Sequence, residues 1–503
     1  MAIVLVVLYA GLCKMLLFRN LEYPGSDLYS FLEMSWSWLY AGRLLHDNVY
    51  GCAYAIHNFY LLLAFAPLTI SFGAYGLILG LVLLNGVAAL RVAFSAAIDA
   101  PGRLAVLVGL LSPLTYYVFD HPDWGFHPEL CYLPLGLLLA LDLGEDRVKR
   151  AMVVAALMVL VKEDGAVLCA AVLTANFAWR FWRVRNGPPE RRRRVIVAAF
   201  LSLLAVTIIF AAGMAILSLA GRHLAGTQQT SDARVAGSLG VMRALTGEDR
   251  SGKRLMLRDG LVTYFLAATL ILLPLARRMG RAVVLLLLSS PPLLVVLTIS
   301  SALYGFWLLL WPPRLATFLG LALACGVFAC LTPDSRVAVA RPLSTFAVVA
   351  ALGVVSWGLQ LALLARHGYT PWPRLNVHAM AKERGYSVSA LPQEEVRLVR
   401  CLAGRLPRGL PVFSAPNTHP VFHRQSIVFE GFEAHAWHSP RLRVVRASKA
   451  PPTPEGGTCT GPRVGDLVVV VDCDLKPLIA DCGRSDRGVA DPGSGGRLLP
   501  PGQ

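Results

Sequence analysis

The sequence predicts an α-helical polytopic membrane protein of about eleven transmembrane helices, followed by a small C-terminal α/β domain on the extracytoplasmic face. Three observations predict it. The 503 residues are 55% hydrophobic, with a mean hydropathy of +0.57, well above a soluble globular chain. Apolar runs long enough to cross a bilayer, roughly 20 residues each, recur as far as residue 365 and then stop. Many of the arginines behind the net charge of +16 sit in short loops between those runs, the Lys/Arg bias of inward-facing loops. No basic stripe interleaved with stacking aromatics accompanies the charge, which argues against nucleic acid as a partner.

Ala2 to Leu17 is apolar apart from Lys14, starts without a basic segment and has no small-residue cleavage site close behind it. It reads as a retained first span with a cytoplasmic N-terminus, not as a cleaved signal. The polar loop 20–57 mixes Glu22, Asp27, Glu33 and Asp47 with five tyrosines, Trp36 and Trp38, a composition suited to the headgroup level. Segment 58–71 contains Pro67 and runs into Gly73 without a charged break. Counted as a span, it would put the acidic loop 120–129 inside and the arginine cluster 183–194 outside. Taken as an interfacial or re-entrant helix, it keeps the charge rule, so the first outer loop (18–73) carries interfacial helices.

Spans follow at 74–94, 102–119, 129–142, 150–161, 164–182, 195–220, 260–276, 282–303, 305–331 and 343–365. Inside loops then hold Arg103, the Arg147 to Arg150 group, the 183–194 cluster, Arg277, Arg278 and Arg281, and Arg336 with Arg341. The run 150–161 is short enough to need a thinned bilayer or help from its neighbours. The outer loop 222–259 breaks the rule with Arg243, Arg250, Lys253, Arg254 and Arg258, as longer exported segments are free to do.

Residues 1–365 therefore form the membrane domain, and 366–481 an outer domain. In the latter, a helix is expected at 393–404, with Glu394 and Glu395 early and Arg405 at its end to match the helix dipole. Short strands are expected at 411–415, 426–430 and 466–472. Cys401, Cys459, Cys473 and Cys482 allow two disulfides in any of three connectivities, and their spacing matches no zinc pattern. The tail 482–503, with GSGG and LPPG, has the composition of a disordered segment.

Three acidic clusters share the outer side: Asp27 with Glu33, FDHPDWGFHPE at 119–129, and Lys162-Glu163-Asp164. Ionisable groups at membrane depth are expensive and point to function unless a partner explains them. Asp27, preceded by Ser26 and followed by a helical run, suits both a helix N-cap and a general base. Asp120, His121, Asp123, His127 and Glu129 are denser than a polar turn into a helix at Pro128 requires. A divalent ion finds no fixed ligand spacing there, so no cofactor or metal is assigned. Salt bridges within Lys162, Glu163 and Asp164 or to another helix are the alternative reading of that cluster. Tyr304, Trp307 and Trp311 suit an aromatic belt, while Arg314, after Pro312-Pro313, lies deep enough to contact a phosphate. Snorkelling is its alternative.

SDLYSFLEMSWSWLYAGR at 26–43, the stretch from His57 to Ala66-Pro67, FHPE at 126–129 and VKED at 161–164 resemble, in order, the domain-of-unknown-function 2079 (DUF2079) family. These are prokaryotic polytopic membrane proteins similar to the C-type glycosyltransferase (GT-C) superfamily. The likeness continues through Tyr304 and through PVFSAPNTHPVFHRQSIVF at 411–429. It implies a GT-C-like fold, interfacial helices before the second span, and inverting displacement at a polyprenyl-phosphate-linked sugar. The family's first-loop Asp falls on Asp27. On this reading Asp27, Glu129 and Glu163 are the candidate catalytic residues, and His57, His127, Lys162, Asp164, Tyr304 and Arg314 bind substrate. The chain departs from the family where an acid is expected near Leu32 and at Gly125, and a polar residue at Leu303. The competing readings are a non-catalytic GT-C-like scaffold or assembly protein and, third, a transporter, for which an internal inverted repeat is missing.

Overall fold

In the computed structural model the described residues are 2–19, 27–40, 42–48, 51–52, 57, 59–120, 125–224, 253–294, 296, 312–331, 342–370, 392–414, 418–419, 421–422, 424–428, 440–447 and 457–483. Tyr304, Leu303, Trp307, Trp311, His121, Asp123 and most of the loop 222–259 lie outside them.

The apolar runs fold as helices: α1 (Ala2–Arg19), α2 (Asp27–Tyr40), α3 (Leu62–Phe72), α4 (Ala74–Ala93), α5 (Ala100–Leu110), α6 (Pro113–Asp120), α7 (Tyr132–Gly144), α8 (Val148–Val161), α9 (Asp164–Val184), α10 (Pro189–Leu224), α11 (Lys253–Leu272), α12 (Met279–Ser289), α13 (Pro312–Cys330) and α14 (Pro342–Arg366). Five of these contain a stretch long and apolar enough to cross a membrane: Ala74–Ala93, Asp164–Val184, Pro189–Gly213, Pro312–Cys330 and Ser344–Arg366. Helices α5 and α6, bent by 45°, pass the same test only when joined, as a broken span or a re-entrant loop. The bend falls at Pro113, whose ring and missing N–H cannot continue the preceding helix.

Helix α13 is the hub, its apolar window entirely buried, whereas the window in α10 is only 6% buried and faces outward. Small residues let α13 approach α7. A Cβ on Gly320 would stand 2.8 Å from the Tyr132 carbonyl oxygen, and one on Gly136 would stand 3.1 Å from that of Gly320. Such close backbone contact is how helices associate where lipid removes the hydrophobic drive between them.

Helix α3 has 11 residues, about 16 Å of rise, too short for a hydrocarbon core of roughly 30 Å. The chain turns at Gly73, with φ 61°, and α4 returns along α3 so closely that a Cβ on Gly76 would collide with the Leu68 carbonyl. This short hairpin is the local form of the awkward 58–71 segment.

The C-terminal residues make a helix, α15 (Gln393–Arg405), and a mixed sheet of β3 (Pro411–Ser414), β4 (Ser426–Val428), β5 (Leu442–Arg446), β6 (Thr458–Val464) and β7 (Leu467–Asp472) in the order β4-β3-β5-β7-β6. A minimal hairpin, β1 (His46–Asp47) with β2 (Gly51–Cys52), precedes them in the first loop. The three expected strands are β3, β4 and β7. Strands β5 and β6 were not expected. Strand β6 hides its signal behind Gly461-Pro462, which sit at a register irregularity between Thr460 and Arg463 on a sheet edge, where proline is tolerated. Of the three possible connectivities the structure pairs Cys401 with Cys482 and Cys459 with Cys473. The first bridge draws Cys482 into the folded domain, so the boundary expected at 481 moves past it. Residues 484–503, the expected tail, lie outside the described residues.

Helix ends sort by chemistry. One end gathers the arginines: Arg91 reaches Asp142 at 2.7 Å and Glu145 at 3.1 Å, Arg147 reaches Glu145 at 2.9 Å, and Arg278 grips both oxygens of Asp99. The other end gathers the first loop, the 125–131 turn, the α8–α9 junction and the C-terminal domain.

Candidate functional site

The site is built where three chain reversals meet. At the α8–α9 junction Gly165 is required, because a Cβ there would collide with the Met158 carbonyl and press on the Tyr132 ring. That contact makes the reversal tight and turns Lys162, Glu163 and Asp164 to one side. The Tyr132 hydroxyl donates to the Lys162 carbonyl at 3.2 Å, and the Leu61 N–H donates to the Leu160 carbonyl at 2.7 Å. The second contact ties the chain beside His57 to the same junction. Pro128 opens a short 3-10 turn, Pro128–Cys131, that presents His127 and Glu129.

Glu163 Oε1 lies 2.6 Å from His57 Nδ1. Lys162 Nζ donates to Glu129 Oε1 at 2.8 Å and stands 3.8 Å from Asp164. Glu129 also pairs with His127. Arg314, buried on α13, acts electrostatically on Asp164. Aromatic rings close the cluster: Phe31 of α2 meets His127 at 4.9 Å and Phe59 at 5.2 Å, and Phe59 meets His57 at 4.9 Å. The His57 and Glu163 side chains keep 18% and 16% exposure, against 8% and 4% for His127 and Glu129. The first pair is therefore the reachable rim and the second the buried support. Burial pushes the Glu163 carboxyl up, but His57 and then Lys162 outweigh it and bring it down to about 2.

Of the nine candidate residues, the structure brings together His57, His127, Glu129, Lys162, Glu163, Asp164 and Arg314. Asp27 opens α2 four residues before Phe31, one turn away along the helix, and its side chain lies outside those described. Tyr304 lies outside the described residues. Among the described residues no group of three or more His, Cys, Asp or Glu side chains is arranged to hold a metal ion.

Two further polar centres brace the site. Glu33, on the buried length of α2, accepts from Asn48 N and Asn48 Nδ2, both at 2.9 Å, from Ser426 Oγ at 3.2 Å and from the Ile427 N–H. Burial, reinforced by Asp47, pushes the Glu33 carboxyl well above the usual carboxylate range despite those donors. Tyr29 packs edge-on against His419 at 5.5 Å, and Arg408 donates to the Ile70 carbonyl at 2.7 Å. The C-terminal domain is thereby seated on α2 and α3. Glu33 stood out in the sequence as part of an acidic cluster with Asp27, but its partners on β4, 393 and 394 positions away, were not legible. The second centre is Lys14, which donates to the Phe119 carbonyl at 3.1 Å and to that of Asp120, capping α6 just before the loop that leads to His127.

Two of the three departures from the family pattern, Leu32 and Gly125, fall on described residues. Leu32 is buried in the apolar core with 1% exposure, where an unpaired acid would be stranded. Gly125 has φ 72°, a backbone state that favours glycine over other residues.

Fold and site together define a helical membrane protein with a buried, histidine- and carboxylate-rich cluster at one end of its bundle and a small disulfide-bonded domain seated on α2 and α3. Residues 18–221 match the model of the family described as predicted membrane protein (DUF2079). No curated protein matches the chain.

Proposed function

We propose that the chain is a glycosyltransferase of GT-C-like fold with about eleven transmembrane helices, moving a sugar from a polyprenyl-phosphate donor to an acceptor at the outer leaflet of the plasma (inner) membrane. The observation that carries this reading is the convergence of His57, His127, Glu129, Lys162, Glu163, Asp164 and Arg314 beneath the helix that Asp27 opens. Asp27 takes the acceptor's proton as its oxygen attacks the anomeric carbon. The bond from that carbon to the phosphate oxygen breaks, and the electron pair leaves with polyprenyl phosphate. Lys162 and Arg314 meet the charge that develops there. Glu129 and Asp164 hold Lys162, Glu163 holds His57, and Tyr304 is assigned to substrate binding on the family resemblance alone. Two disulfides in the C-terminal domain support an oxidising, extracytoplasmic setting for it, and the arginine-rich opposite end suits the cytoplasm.

The test is Asp27→Asn. Asn caps a helix about as well as Asp but takes no proton, and a general base is typically worth roughly 10²–10⁴-fold in rate. The variant should express and fold normally while transfer, or complementation of a disrupted strain, collapses. Full activity in a folded Asn variant would remove the catalytic role. The burial of Leu32, where the family resemblance leads one to expect an acid, favours a second reading, a non-catalytic GT-C-like scaffold, and that result would put it first.

A further inference from the structure

The reversal between α9 and α10 carries a charge that the proposed transfer does not use. Residues 179–196 read WRFWRVRNGPPERRRRVI, with seven arginines and one acid, Glu190. Arg180 is matched by Asp146, as Arg91, Arg147 and Arg278 at the same end of the bundle are matched by acids. Among the described residues, Arg183, Arg185 and Arg191 to Arg194 face no carboxylate in an ion pair. Two of these six are braced on rings. The Arg183 guanidinium lies over Trp179, 5.0 Å from the ring centre, and Trp179 itself stacks on Phe328 of α13 at 6.1 Å. Arg185 lies over Trp182 at 5.1 Å. Attraction to an aromatic face fixes a guanidinium in place and leaves its N–H edge free to donate.

Helix α10 packs against α9, and Arg192 belongs to its less exposed strip, with Val195, Ala199 and Val206. Arg192 Nε is shut off from solvent and has no hydrogen-bond partner among the described residues. A shielded N–H without an acceptor is unfavourable. Just beside the arginines the surface turns apolar: Trp182, Ile196 and Phe200 are exposed, and the apolar stretch of α10 is only 6% buried. On a membrane protein such a surface is the lipid boundary, which sets the arginines at the level of the headgroups. The Lys/Arg bias explains the sign of this end. It does not explain the rings beneath the guanidinia or the Nε turned away from water.

We infer that the α9–α10 reversal is a binding site for an anionic phospholipid. Its phosphodiester is taken by the arginines of the reversal, Arg192 foremost, and its acyl chains lie along the exposed face of α10. A guanidinium fork matches phosphate oxygens and sheds its water more readily than an ammonium does. The lipid here is a lasting partner and not a substrate, so the inference stands apart from the polyprenyl-phosphate reading and concerns the opposite end of the bundle.

The experiment uses the full chain in a neutral detergent, titrated with dioctanoyl phosphatidylglycerol or dioctanoyl phosphatidylcholine, with native mass spectrometry counting the lipids retained. Wild type should prefer phosphatidylglycerol, and its affinity should fall as salt is raised. Each basic residue near an anionic surface is worth about fivefold in binding. Arg183→Gln, Arg185→Gln and Arg192→Gln together should therefore weaken phosphatidylglycerol binding by about a hundredfold. Lys149→Gln, Arg277→Gln and Arg281→Gln together remove as much charge from the same end and should change it by less than one such step. Wild type binding phosphatidylcholine as well as phosphatidylglycerol, or the second variant losing as much as the first, overturns the inference. Displacement of phosphatidylglycerol by polyglutamate at equal charge concentration would point to an acidic protein instead and overturns it too. Should the first triple variant not fold, Arg192→Gln alone decides: unchanged phosphatidylglycerol binding sinks the site.

Discussion

The two ends of the helical bundle handle acids in opposite ways. At the arginine end Asp99, Asp142, Glu145 and Asp146 each face a guanidinium, at distances of 2.5 to 3.1 Å. Those arrangements saturate local charge and anchor loops. At the other end Glu129 and Glu163 each face an imidazole, and Lys162 reaches Glu129. A paired charge that is fully matched in its resting state has little left to offer a ligand, whereas one matched by a titratable group can change its state. The contrast separates scaffolding from candidate chemistry without reference to conservation.

The comparison can be broken or sharpened by single substitutions, read as changes in thermal unfolding of the protein in detergent or nanodiscs. The largest effect is expected from Lys162→Met. It leaves the Glu129 carboxylate, whose side chain is 4% exposed, with His127 as its remaining ion-pair partner, and breaking one partner of a buried pair costs about 3–5 kcal/mol. Adding Glu129→Leu should recover most of that loss. No loss from the single change would mean the cluster is wet and loosely held. Next comes Gly165→Ala, whose new methyl meets the Met158 carbonyl and the Tyr132 ring. Overpacking of this kind costs about 1–3 kcal/mol, and it should also reduce ligand binding by opening the junction. At the arginine end Asp99→Asn keeps the α5 cap through Gly102 but loses the two-pronged Arg278 contact. The pair is about one-third exposed, so the loss should be about 1 kcal/mol after allowing for solvent screening. The smallest effect belongs to Asp146→Asn: Asp146 is 77% exposed with φ 56°, a conformation Asn also adopts. Its change should stay within about 0.5 kcal/mol. Reporter fusions after Arg194 and after Gly461 test the ends as a whole. The expected outcome is opposite sides of the membrane, and a common side would overturn the sorting.

Much of this organisation was legible in the residues. Apolar length, the Lys/Arg bias and the awkward Pro67 segment are local signals; they gave a mostly helical chain and set 58–71 apart, but of the eleven expected spans five described helices, or six with α5 and α6 joined, are long and apolar enough to cross. FHPE and VKED could be singled out because charge inside an apolar run has few innocent explanations. The pairing of His57 with Glu163, 106 positions apart, could not be read, since nothing local encodes which reversal meets which. The same holds for Lys14 capping α6 and for Glu33 reaching Ser426. Strand β5 was missed because five residues ending in Arg446 carry too little pattern, and β6 because its Gly-Pro pair imitates a loop.

The seat of Glu33 has a consequence for how the molecule can be handled. Strand β4 is an edge of the sheet, and the Ser426 N–H turns inward to the Leu410 carbonyl while the Ile427 N–H turns outward to Glu33. A helix of the membrane half thus occupies the hydrogen-bonding edge that a bare strand would offer to another chain. An excised C-terminal fragment would expose that edge, short as it is, and invite strand-to-strand aggregation. The C-terminal domain is better produced with α2 attached, or with a charged residue placed on β4 as a substitute guard.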